Sequence, residues 1–594
     1  MVSARALPMG ERAFLVEVDG LDEVLAVHAA LAASRPEGVT DLVPAARTVL
    51  VRVDPRMLPV AAARAWALRT AAGAQPGDAA AGPLVELDVA YDGADLADTA
   101  RLLGVTPDEL VRRHAGAEWR VAFTGFAPGF GYLVSHDWPF DVPRLELPRT
   151  RVPAGSVGLA GAFSGAYPRD TPGGWRLIGT TAAPLFDPSA AGPTRPEAPR
   201  EARATLLDRA AASPALLAPG TRVRFAPGEP ARSAVSIDAA PAGRSTAATA
   251  AAGAAGSGAA TAAGADTAAH TRFPRSGDLA GSGRFGADRP ESTGSGDSGE
   301  SDAATHGPRA GLRIIEPGLL ATVQDLGRRD AASVGVAVSG ALDRTALRTA
   351  NRLLGNPEGT AAIEVTMGGL RAVAETDLWI AVTGAWGPVR LDGRAIDPYE
   401  AHAWPAGAEL HLDWFVHGAR AYVAVRGGID APAVLGSRAT DLLAGLGPRA
   451  LRAGDRVPVG GAPGAPIPVA PPAAWGAPHD DELELELDLA PGPRADWFAP
   501  GTTLFDALWT VTGDADRVGV RLDGPELARV RVGELPSEGM VPGALQVPPS
   551  GRPTILLADG PVTGGYPVVA VVTDASLDLV AQARPGTRIR FRHA

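Results

Sequence analysis

The segment "PGTRVRF", residues 219–225, recurs almost unchanged near the end of the chain as "PGTRIRF", residues 585–591. In both copies apolar side chains alternate with arginines after a Pro-Gly turn, which is the pattern of a β-strand with one buried face. A fainter copy, "AGDRVPV", occupies residues 453–459. We therefore predict that each of these segments is the closing strand of a β domain.

Two further motifs precede the closing strand in the same order in both halves of the chain. The first half has "VPAGSVGL" at 152–159 and "PGGWRLIG" at 172–179, and the second half has "VPGALQVP" at 541–548 and "TGGYPVVA" at 563–570. Short apolar strands between Gly and Pro turns favour barrels or sandwiches. The repeat predicts three related β-rich domains, two of them in the second half.

Helical signals are few. "TPDELVRRHAG", residues 106–116, has Thr106 as a helix N-cap and Pro107 at the first helical position. "SGALDRTALRTANRLLGN", residues 339–356, carries an apolar stripe at helical spacing. Residues 1–80 alternate strand and helix patterns, which indicates a small α+β domain at the start of the chain.

An Ala/Gly/Ser-rich stretch separates the two halves. It contains almost no large aliphatic residues, so it cannot bury enough surface to offset its chain entropy, and we predict a disordered linker. The predicted boundaries are 1–82 for the N-terminal α+β domain, 83–228 for the first barrel, 229–310 for the linker, 311–462 for the second barrel and 463–594 for the third.

Composition excludes several functions. The 594-residue chain has a net charge of −12, no cysteine and no lysine, so all 55 basic residues are arginine. A Walker-type phosphate loop, a Schiff base and a biotin attachment site all require lysine. The acidic balance disfavours nucleic acid and anionic membranes, and the histidines show no metal-binding pairing. No signal or membrane-spanning segment is recognisable, so we expect a cytoplasmic protein, and we assign no metal-ligating residues.

The segment "FTGFAPGFGYL", residues 123–133, is rich in glycine and aromatic residues. It does not fit a nucleotide loop, because Pro128 lacks an amide donor and no lysine follows. It can be a tight structural corner, or the amides near Gly125 and Gly129 can line a pocket for an anion or a carbonyl. The residues alone leave both interpretations open.

Three further groups of polar residues have the composition of binding or catalytic sites. Arginine beside a Gly/Ser turn can hold a carboxylate or phosphate, or can simply cover a solvated strand face. An aspartate in the first turn of a helix can belong to a site or can cap the helix. Acidic residues near Gly-rich turns can bind an amide or Mg²⁺, or can serve the turn itself. The three groups are Arg149, Arg151 and Ser156; Gln324, Asp343 and Asn351; and Glu538, Gln546, Asp559, Thr563, Gly564, Gly565 and Tyr566.

Longer motifs give the chain a family resemblance. "RVAFTGFAPGFGYL" and "LPRTRVPAGSVG" in the first half resemble the B subunit of prokaryotic 5-oxoprolinase. "SGALDRTALRTANRLLGN" and "SEGMVPGALQVPPSG" in the second half resemble its C subunit. The fused pair is also similar to the carboxyltransferase portion of urea amidolyase, and to a sporulation-kinase inhibitor and its antagonist.

The resemblance implies a mainly β fold of three cyclophilin-like barrels. It also implies ATP-dependent opening of a small cyclic amide, 5-oxo-L-proline, to L-glutamate together with a separate A subunit, with ATP and Mg²⁺ as cofactors. On this basis we assign catalytic roles to Gln324, Asp343, Glu538 and Asp559, and binding of substrate or phosphate to the other residues named above. The alternatives are a carboxyltransferase component of a biotin-dependent urea or amide carboxylase, and a non-catalytic protein that regulates a kinase.

Overall fold

The computed structural model of the chain is mainly β, as predicted. It describes residues 2–75, 82–190, 213–228, 311–469, 484–499, 503–531 and 533–594, and these residues all belong to one compact unit. The predicted linker, 229–310, lies outside the described residues. Among the described residues, no helix combines the length and the apolar character needed to cross a bilayer.

The N-terminal domain, residues 2–75, is an antiparallel sheet covered by two helices, which confirms the α+β prediction. Alanines at every fourth position of the second helix, Ala63, Ala67 and Ala71, lie on one face and pack into the core with Phe14 and Val51. The sheet order is β1-β2-β4-β3. The elements are β1 (Arg5–Pro8), β2 (Ala13–Glu17), α1 (Leu21–Ala33), β3 (Val39–Pro44), β4 (Thr48–Val53) and α2 (Val60–Gly73).

The first β domain, residues 82–228, holds a seven-stranded sheet of order β12-β9-β10-β7-β6-β13-β5 and a separate pair, β8 and β11. Its second helix begins at Pro107, and the Thr106 hydroxyl accepts a hydrogen bond from the Glu109 amide at 3.2 Å, which confirms the predicted cap. The elements are β5 (Leu84–Val89), α3 (Leu96–Leu102), α4 (Pro107–Gly116), β6 (Trp119–Thr124), β7 (Gly131–Val134), β8 (Arg149–Val152), β9 (Ser156–Ala160), β10 (Phe163–Ala166), β11 (Thr171–Gly173), β12 (Arg176–Thr180) and β13 (Arg222–Pro227).

The second β domain, residues 311–469, contains two sheets, β20-β19-β22-β17-β14-β24 and β15-β16-β23-β18-β21. Its last strand lies antiparallel to its first, so the faint third copy of the closing motif pairs differently from the other two. The elements are β14 (Gly311–Pro317), β15 (Leu320–Gln324), α5 (Arg344–Leu353), β16 (Ala362–Thr366), β17 (Leu370–Ala374), β18 (Leu378–Trp386), β19 (Val389–Leu391), β20 (Arg394–Ala395), β21 (His402–Trp404), β22 (Glu409–Leu412), β23 (His417–Val425) and β24 (Arg456–Pro458).

The third β domain, residues 484–594, is a closed barrel of order β25-β32-β29-β30-β27-β26-β33, with a separate pair, β28 and β31. The elements are β25 (Leu485–Pro491), β26 (Leu508–Val511), β27 (Gly519–Asp523), β28 (Glu538–Gly539), β29 (Ala544–Gln546), β30 (Thr554–Leu556), β31 (Thr563–Gly564), β32 (Val568–Val572), α6 (Asp574–Gln582) and β33 (Arg588–His593).

The first and third β domains have the same topology. Their strand orders correspond one to one, and each closing strand is parallel to the first strand of its domain and antiparallel to the second. In each copy a fully buried tryptophan, Trp119 or Trp509, donates its indole N–H to the carbonyl five residues earlier. Each tryptophan also lies 6.2–6.4 Å from the phenylalanine of the closing motif, Phe225 or Phe591. The repeat in the sequence is therefore a repeat in the structure.

An ion pair occupies the same place in both domains, with its charges exchanged. In the first β domain, Arg149 at the start of β8 donates to Asp95 at 2.7 Å. In the third, Glu538 at the start of β28 accepts from Arg494 Nε at 2.9 Å. The positions correspond because Asp95 and Arg494 each donate a backbone N–H to the equivalent residue of β12 or β32. The arginine and the carboxylate have changed places between the two copies.

We expect the Arg494→Met substitution to lower the free energy of unfolding of the third β domain by about 3–5 kcal/mol, because it leaves Glu538 buried without a cation and also removes the bond from Arg494 to Glu17. The loss should be smaller at mildly acidic pH, where Glu538 can take up a proton. Urea denaturation with hydrogen-exchange mass spectrometry of barrel peptides measures this change. The matched control is Arg151→Met, which breaks only the surface pair with Asp170 and should change stability by less than about 1 kcal/mol. Equal effects of the two substitutions would contradict the prediction.

Candidate functional site

The turn between β6 and β7, residues 125–130, contacts the second half of the chain. Gly129 donates its N–H to the Val334 carbonyl at 3.0 Å, and the Thr124 hydroxyl donates to Ser333 at 2.5 Å. The Gly125 N–H donates within the turn to Phe130 at 3.1 Å. The amides of Gly125 and Gly129 therefore already have acceptors, and the turn docks the two halves rather than presenting these amides to an anion.

The same turn contacts the "TGGYP" motif of the third β domain. A Cβ atom on Gly125 would overlap the Thr563 hydroxyl, so only glycine permits this close approach. The next residue, Phe126, has a φ of 66°, a conformation that costs a bulky residue free energy. Gly125 and Thr563, both predicted as binding residues, therefore meet at the boundary between the two halves.

A small cavity of about 40 Å³ lies beside this contact, enclosed by all three β domains. Phe126, Arg169 and Thr171 line it from the first domain, and Asp441 and Asp559 line it from the other two. Arg169 Nη1, Thr171 Oγ1 and Asp441 Oδ2 are buried and have no hydrogen-bond partner among the described residues.

Unpartnered buried polar atoms are costly, so a bound molecule that satisfies them gains affinity. Two of these atoms, on Arg169 and Thr171, are donors, and the Asp441 oxygen is an acceptor when ionised. An amide complements this set, since its carbonyl accepts hydrogen bonds and its N–H donates one. The cavity therefore has the polarity of an amide-binding site.

Asp559, one of the predicted catalytic residues, is the centre of a buried hydrogen-bond network. It accepts from Arg517 Nε at 2.9 Å and from the Ser339 hydroxyl at 2.6 Å. Ser339 also contacts the Thr440 carbonyl at 3.2 Å, and Gln324 donates to the same carbonyl at 3.0 Å. The structure thus brings together Gln324 and Asp559, which are far apart in the sequence.

The network continues to Asp343. Arg517 donates to Glu364 at 2.5 Å, Tyr422 donates its hydroxyl to the other oxygen of Glu364 at 2.7 Å, and the Asp343 N–H donates to that hydroxyl at 2.8 Å. Asp343 is also the N-cap of α5, because its carboxylate accepts from the Ala346 amide at 2.8 Å. Burial raises the pKa of Asp343 to about 6. Asp343 therefore caps a helix and belongs to the network at the same time.

Asp441 has the protonation properties of a general acid or base. Burial raises the pKa of its carboxyl to about 6, and the nearby charge of Asp559 acts in the same direction. The raised pKa lets the Asp441 carboxyl hold a proton at a pH where an exposed aspartate is ionised. A carboxyl that exchanges a proton near neutral pH, facing a polar cavity, suits proton transfer to or from a bound amide.

Glu538, Gln546, Gly564 and Tyr566 form a second group, around β28 and β31. Glu538 pairs with Gly564 in the ladder, and burial raises the pKa of its carboxyl even though Arg494 opposes the shift. Gln546 is buried against Met540. Burial also raises the pKa of the Tyr566 hydroxyl, against the charges of Arg529 and Arg144. This group adjoins the cavity through Thr563, whereas Gly565 lies against the Leu535 carbonyl.

The other predicted residues lie away from the cavity. Arg149 is bound to Asp95, and Arg151 is a surface residue bound to Asp170. Ser156 is buried within β9. Asn351 donates to the Glu358 and Thr360 carbonyls at 3.3 and 2.8 Å, so its side chain holds the turn after α5.

Sequence reasoning missed Asp441, Arg169 and Thr171, which carry the unpartnered atoms. Arg169 and Thr171 lie inside "AYPRDTPGG", next to one of the repeated motifs, which is the only local signal for them. Asp441 has no such signal, because only its burial beside Asp559 distinguishes it. Within the described ranges, no group of three or more His, Asp or Glu side chains is arranged to hold a metal ion.

Comparison with known proteins gives matches to both halves of the chain. Residues 4–195 match the family described as "Carboxyltransferase domain, subdomain C and D", and residues 334–593 match "Carboxyltransferase domain, subdomain A and B". The second half is 38% identical to the C subunit of 5-oxoprolinase from Escherichia coli K12 over 287 residues, which covers 47% of this chain and 90% of the relative.

The first half is 42% identical to the B subunit of 5-oxoprolinase from Escherichia coli O157:H7 over 146 residues, or 24% of this chain and 57% of the relative. The crystal structure of TTHA0988 is similar over the full length of both chains, with 32% identity and a TM-score of 0.72. These matches confirm the resemblance to the B and C subunits of 5-oxoprolinase that the motifs indicated.

We expect Gly125→Ala to destabilise the contact between the two halves by roughly 1–3 kcal/mol, because the new methyl group overlaps the Thr563 hydroxyl. The double variant Gly125→Ala/Thr563→Gly should recover most of this loss. Thermal unfolding measures both effects. The control is Gly116→Ala, where a Cβ meets no atom within 4 Å. Absence of recovery in the double variant would show that the steric contact is not the cause.

The pKa of Asp441 also predicts how stability depends on pH. Its carboxyl binds a proton more tightly in the folded chain than in the unfolded chain, where the pKa is 3.8. The stability that this proton contributes is complete below about pH 4 and is lost as the pH rises through about 6. We expect Asp441→Asn to reduce this fall in stability, and the exposed-site variant Asp506→Asn to leave it unchanged. Denaturant titrations across this range measure the slope, and identical slopes for all three proteins would contradict the assignment.

Proposed function

The chain belongs to the carboxyltransferase-domain family, and from that premise we propose that it is a fusion of the B and C components of an ATP-dependent 5-oxoprolinase. It would open 5-oxo-L-proline to L-glutamate with hydrolysis of ATP, together with a separate A subunit. The observation that carries the proposal is that one half resembles the B component and the other half the C component, while both halves line one cavity.

The chemistry of the cavity supports a small amide as the substrate. 5-Oxoproline offers a lactam carbonyl, a lactam N–H and a carboxylate. Arg169 and Thr171 would donate to carbonyl or carboxylate oxygens, and ionised Asp441 would accept from the lactam N–H. Each of the three unpartnered atoms would then have a partner of the right polarity.

The residues of this chain would bind the lactam and move its protons. An amide carbonyl is a poor electrophile, and ATP, as co-substrate, supplies the phosphoryl group that activates its oxygen. Arg169 would hold the substrate in place. Asp441, ionised when the lactam binds, would take a proton from the water that attacks the activated carbonyl and would give it to the lactam nitrogen as the C–N bond breaks. Asp559, fixed by Arg517 and Ser339, would keep Asp441 close to a pKa suitable for that transfer.

The cavity, of about 40 Å³, is assigned to the small amide and not to the nucleotide. No three acidic or histidine side chains among the described residues are arranged around a metal position. We attribute the use of ATP and Mg²⁺ to the complex with the A subunit, and we assign no step to them on the residues of this cavity.

A second function, carboxyl transfer to a urea-like amide, is supported by the matched families themselves, which are described as carboxyltransferase domains. The cavity would bind such an amide in the same way. Because the chain has no lysine, biotin would have to be carried by another protein.

The test uses the purified full chain, co-expressed with the A subunit, and measures glutamate and ADP formation from 5-oxoproline and ATP. We expect product from the complex only, and a loss of at least about 100-fold in kcat for Asp441→Asn. Asp506→Asn, at an exposed position, should keep wild-type activity.

If 5-oxoproline does not stimulate ADP formation by the intact complex, the proposal is wrong. Decarboxylation of carboxybiotin that urea stimulates, with no turnover of 5-oxoproline, would instead establish carboxyl transfer. Full activity of Asp441→Asn would leave the assembly proposal standing but remove the proton-transfer role of this residue.

A further inference from the structure

A larger cleft, of about 160 Å³, lies between the N-terminal domain and the second half of the chain. Its walls come from the 9–13 turn and β3–β4 on one side, and from residues 326–348 and the third β domain on the other. It shares no lining residue with the cavity described above. Among the described residues that line it, none is aromatic.

The lining of this cleft is positively charged, although the chain as a whole carries −12. Six arginines line it, against four carboxylates. Arg12 and Arg344 both bind Asp574, and Arg52 binds Asp41. These pairs use three of the arginines and two of the carboxylates, so three arginines and two carboxylates remain in the lining.

Like charges meet on one rim of the cleft. Arg329 makes no ion pair or hydrogen bond among the described residues, and the closest carboxylate oxygen to Arg348 belongs to Glu358, at 3.8 Å. Burial lowers the pKa of Arg348, and the charges of Arg344 and of Arg56, from the N-terminal domain, lower it further, whereas Glu358 and Asp578 oppose the shift. Positive charge from two domains therefore converges at one place, where an anion would relieve the repulsion.

The cleft also has an unsatisfied donor in its wall. Arg328 is 2% exposed and donates through Nη2 to the Ala439 carbonyl, but its Nε and Nη1 atoms are buried without an acceptor among the described residues. Burial lowers the pKa of this guanidinium. The negative charges of Asp441, Asp325 and Asp559, which belong to the neighbouring hydrogen-bond network, oppose this shift. The charge of Arg328 is thus compensated, but two of its nitrogen atoms still lack a partner.

We propose that this cleft binds a small phosphate-type oxyanion between Arg329 and Arg348, with the charge of Arg328 in the wall behind them. Planar guanidinium donors match tetrahedral oxyanions, and arginine is the residue that protein sites use for such recognition in the absence of lysine. The size and the lack of an aromatic surface favour the phosphate group itself over a nucleobase. The proposal does not depend on the 5-oxoprolinase assignment. The phosphate can be free or can be the terminal group of a nucleotide.

The experiment titrates the full chain with inorganic phosphate by isothermal titration calorimetry and ³¹P NMR, with sulfate, ADP and ATP in parallel. We expect saturable binding of phosphate at one site per chain. Arg329→Gln/Arg348→Gln should weaken it by at least about tenfold, because these bonds are charge-assisted. Asp54→Asn, which removes a lining carboxylate with no ion pair among the described residues, should strengthen it. The double variant Arg47→Gln/Arg394→Gln, at exposed positions outside the cleft, should leave it unchanged.

If ATP binds at a lower concentration than inorganic phosphate, and Arg329→Gln/Arg348→Gln abolishes that binding, a nucleotide is the source of the phosphate. Binding of phosphate without ATP would identify the free anion, and both results support the site. No saturation with phosphate in the millimolar range, or equal weakening by the two double variants, would overturn the proposal. The altered residues are exposed or half-buried, so circular dichroism can verify that every variant is folded.

Discussion

The pairing of the closing strand with the first two strands of its domain is the contact on which the rest of the structure depends. In both the first and the third β domains this strand joins segments that are far apart in the sequence, and a buried tryptophan packs against its phenylalanine. Because β6 carries Trp119 and leads directly into the 125–130 turn, the same packing sets where that turn meets the second half of the chain. A hydrophobic contact in the core thus determines the geometry of a polar boundary.

Much of this fold could be predicted from the sequence, because its signals are local. Alternation of apolar residues and arginines predicted the closing strands, and the Thr-Pro start predicted α4 to the residue. The site was less predictable. Gln324 and Asp559 were recognised as polar residues near turns, but they meet only through Ser339 and a backbone carbonyl of another segment. Asp441 gave no local signal, since its raised pKa arises from tertiary burial and from the charge of Asp559, which is distant in the sequence.

Buried charged side chains are concentrated where the three β domains meet. Those whose polar atoms all have hydrogen-bond partners have a different role from those that retain an unpartnered atom. Arg517 has acceptors for its donors on Asp559, Glu364 and Gly340, so it fixes the relative positions of the second and third domains. Such satisfied pairs are costly to break and therefore rigid. Arg169 and Asp441 line a cavity, and each has a buried atom without a hydrogen-bond partner in the part of the chain that the structure describes. Rigid and unsatisfied charges in close proximity are the arrangement expected of a preorganised binding site.

The exchanged ion pair has a consequence for how the chain folds. Two domains of the same topology in one polypeptide can exchange equivalent segments during folding. Here the segment that begins with Arg149 and the segment that begins with Glu538 each carry a charge that is neutralised only in its own domain. Docked in the wrong barrel, the segment with Arg149 would face Arg494, and the segment with Glu538 would face Asp95. Repulsion between like charges would destabilise both mispaired forms. The exchange of charges therefore disfavours domain swapping between the two duplicated domains.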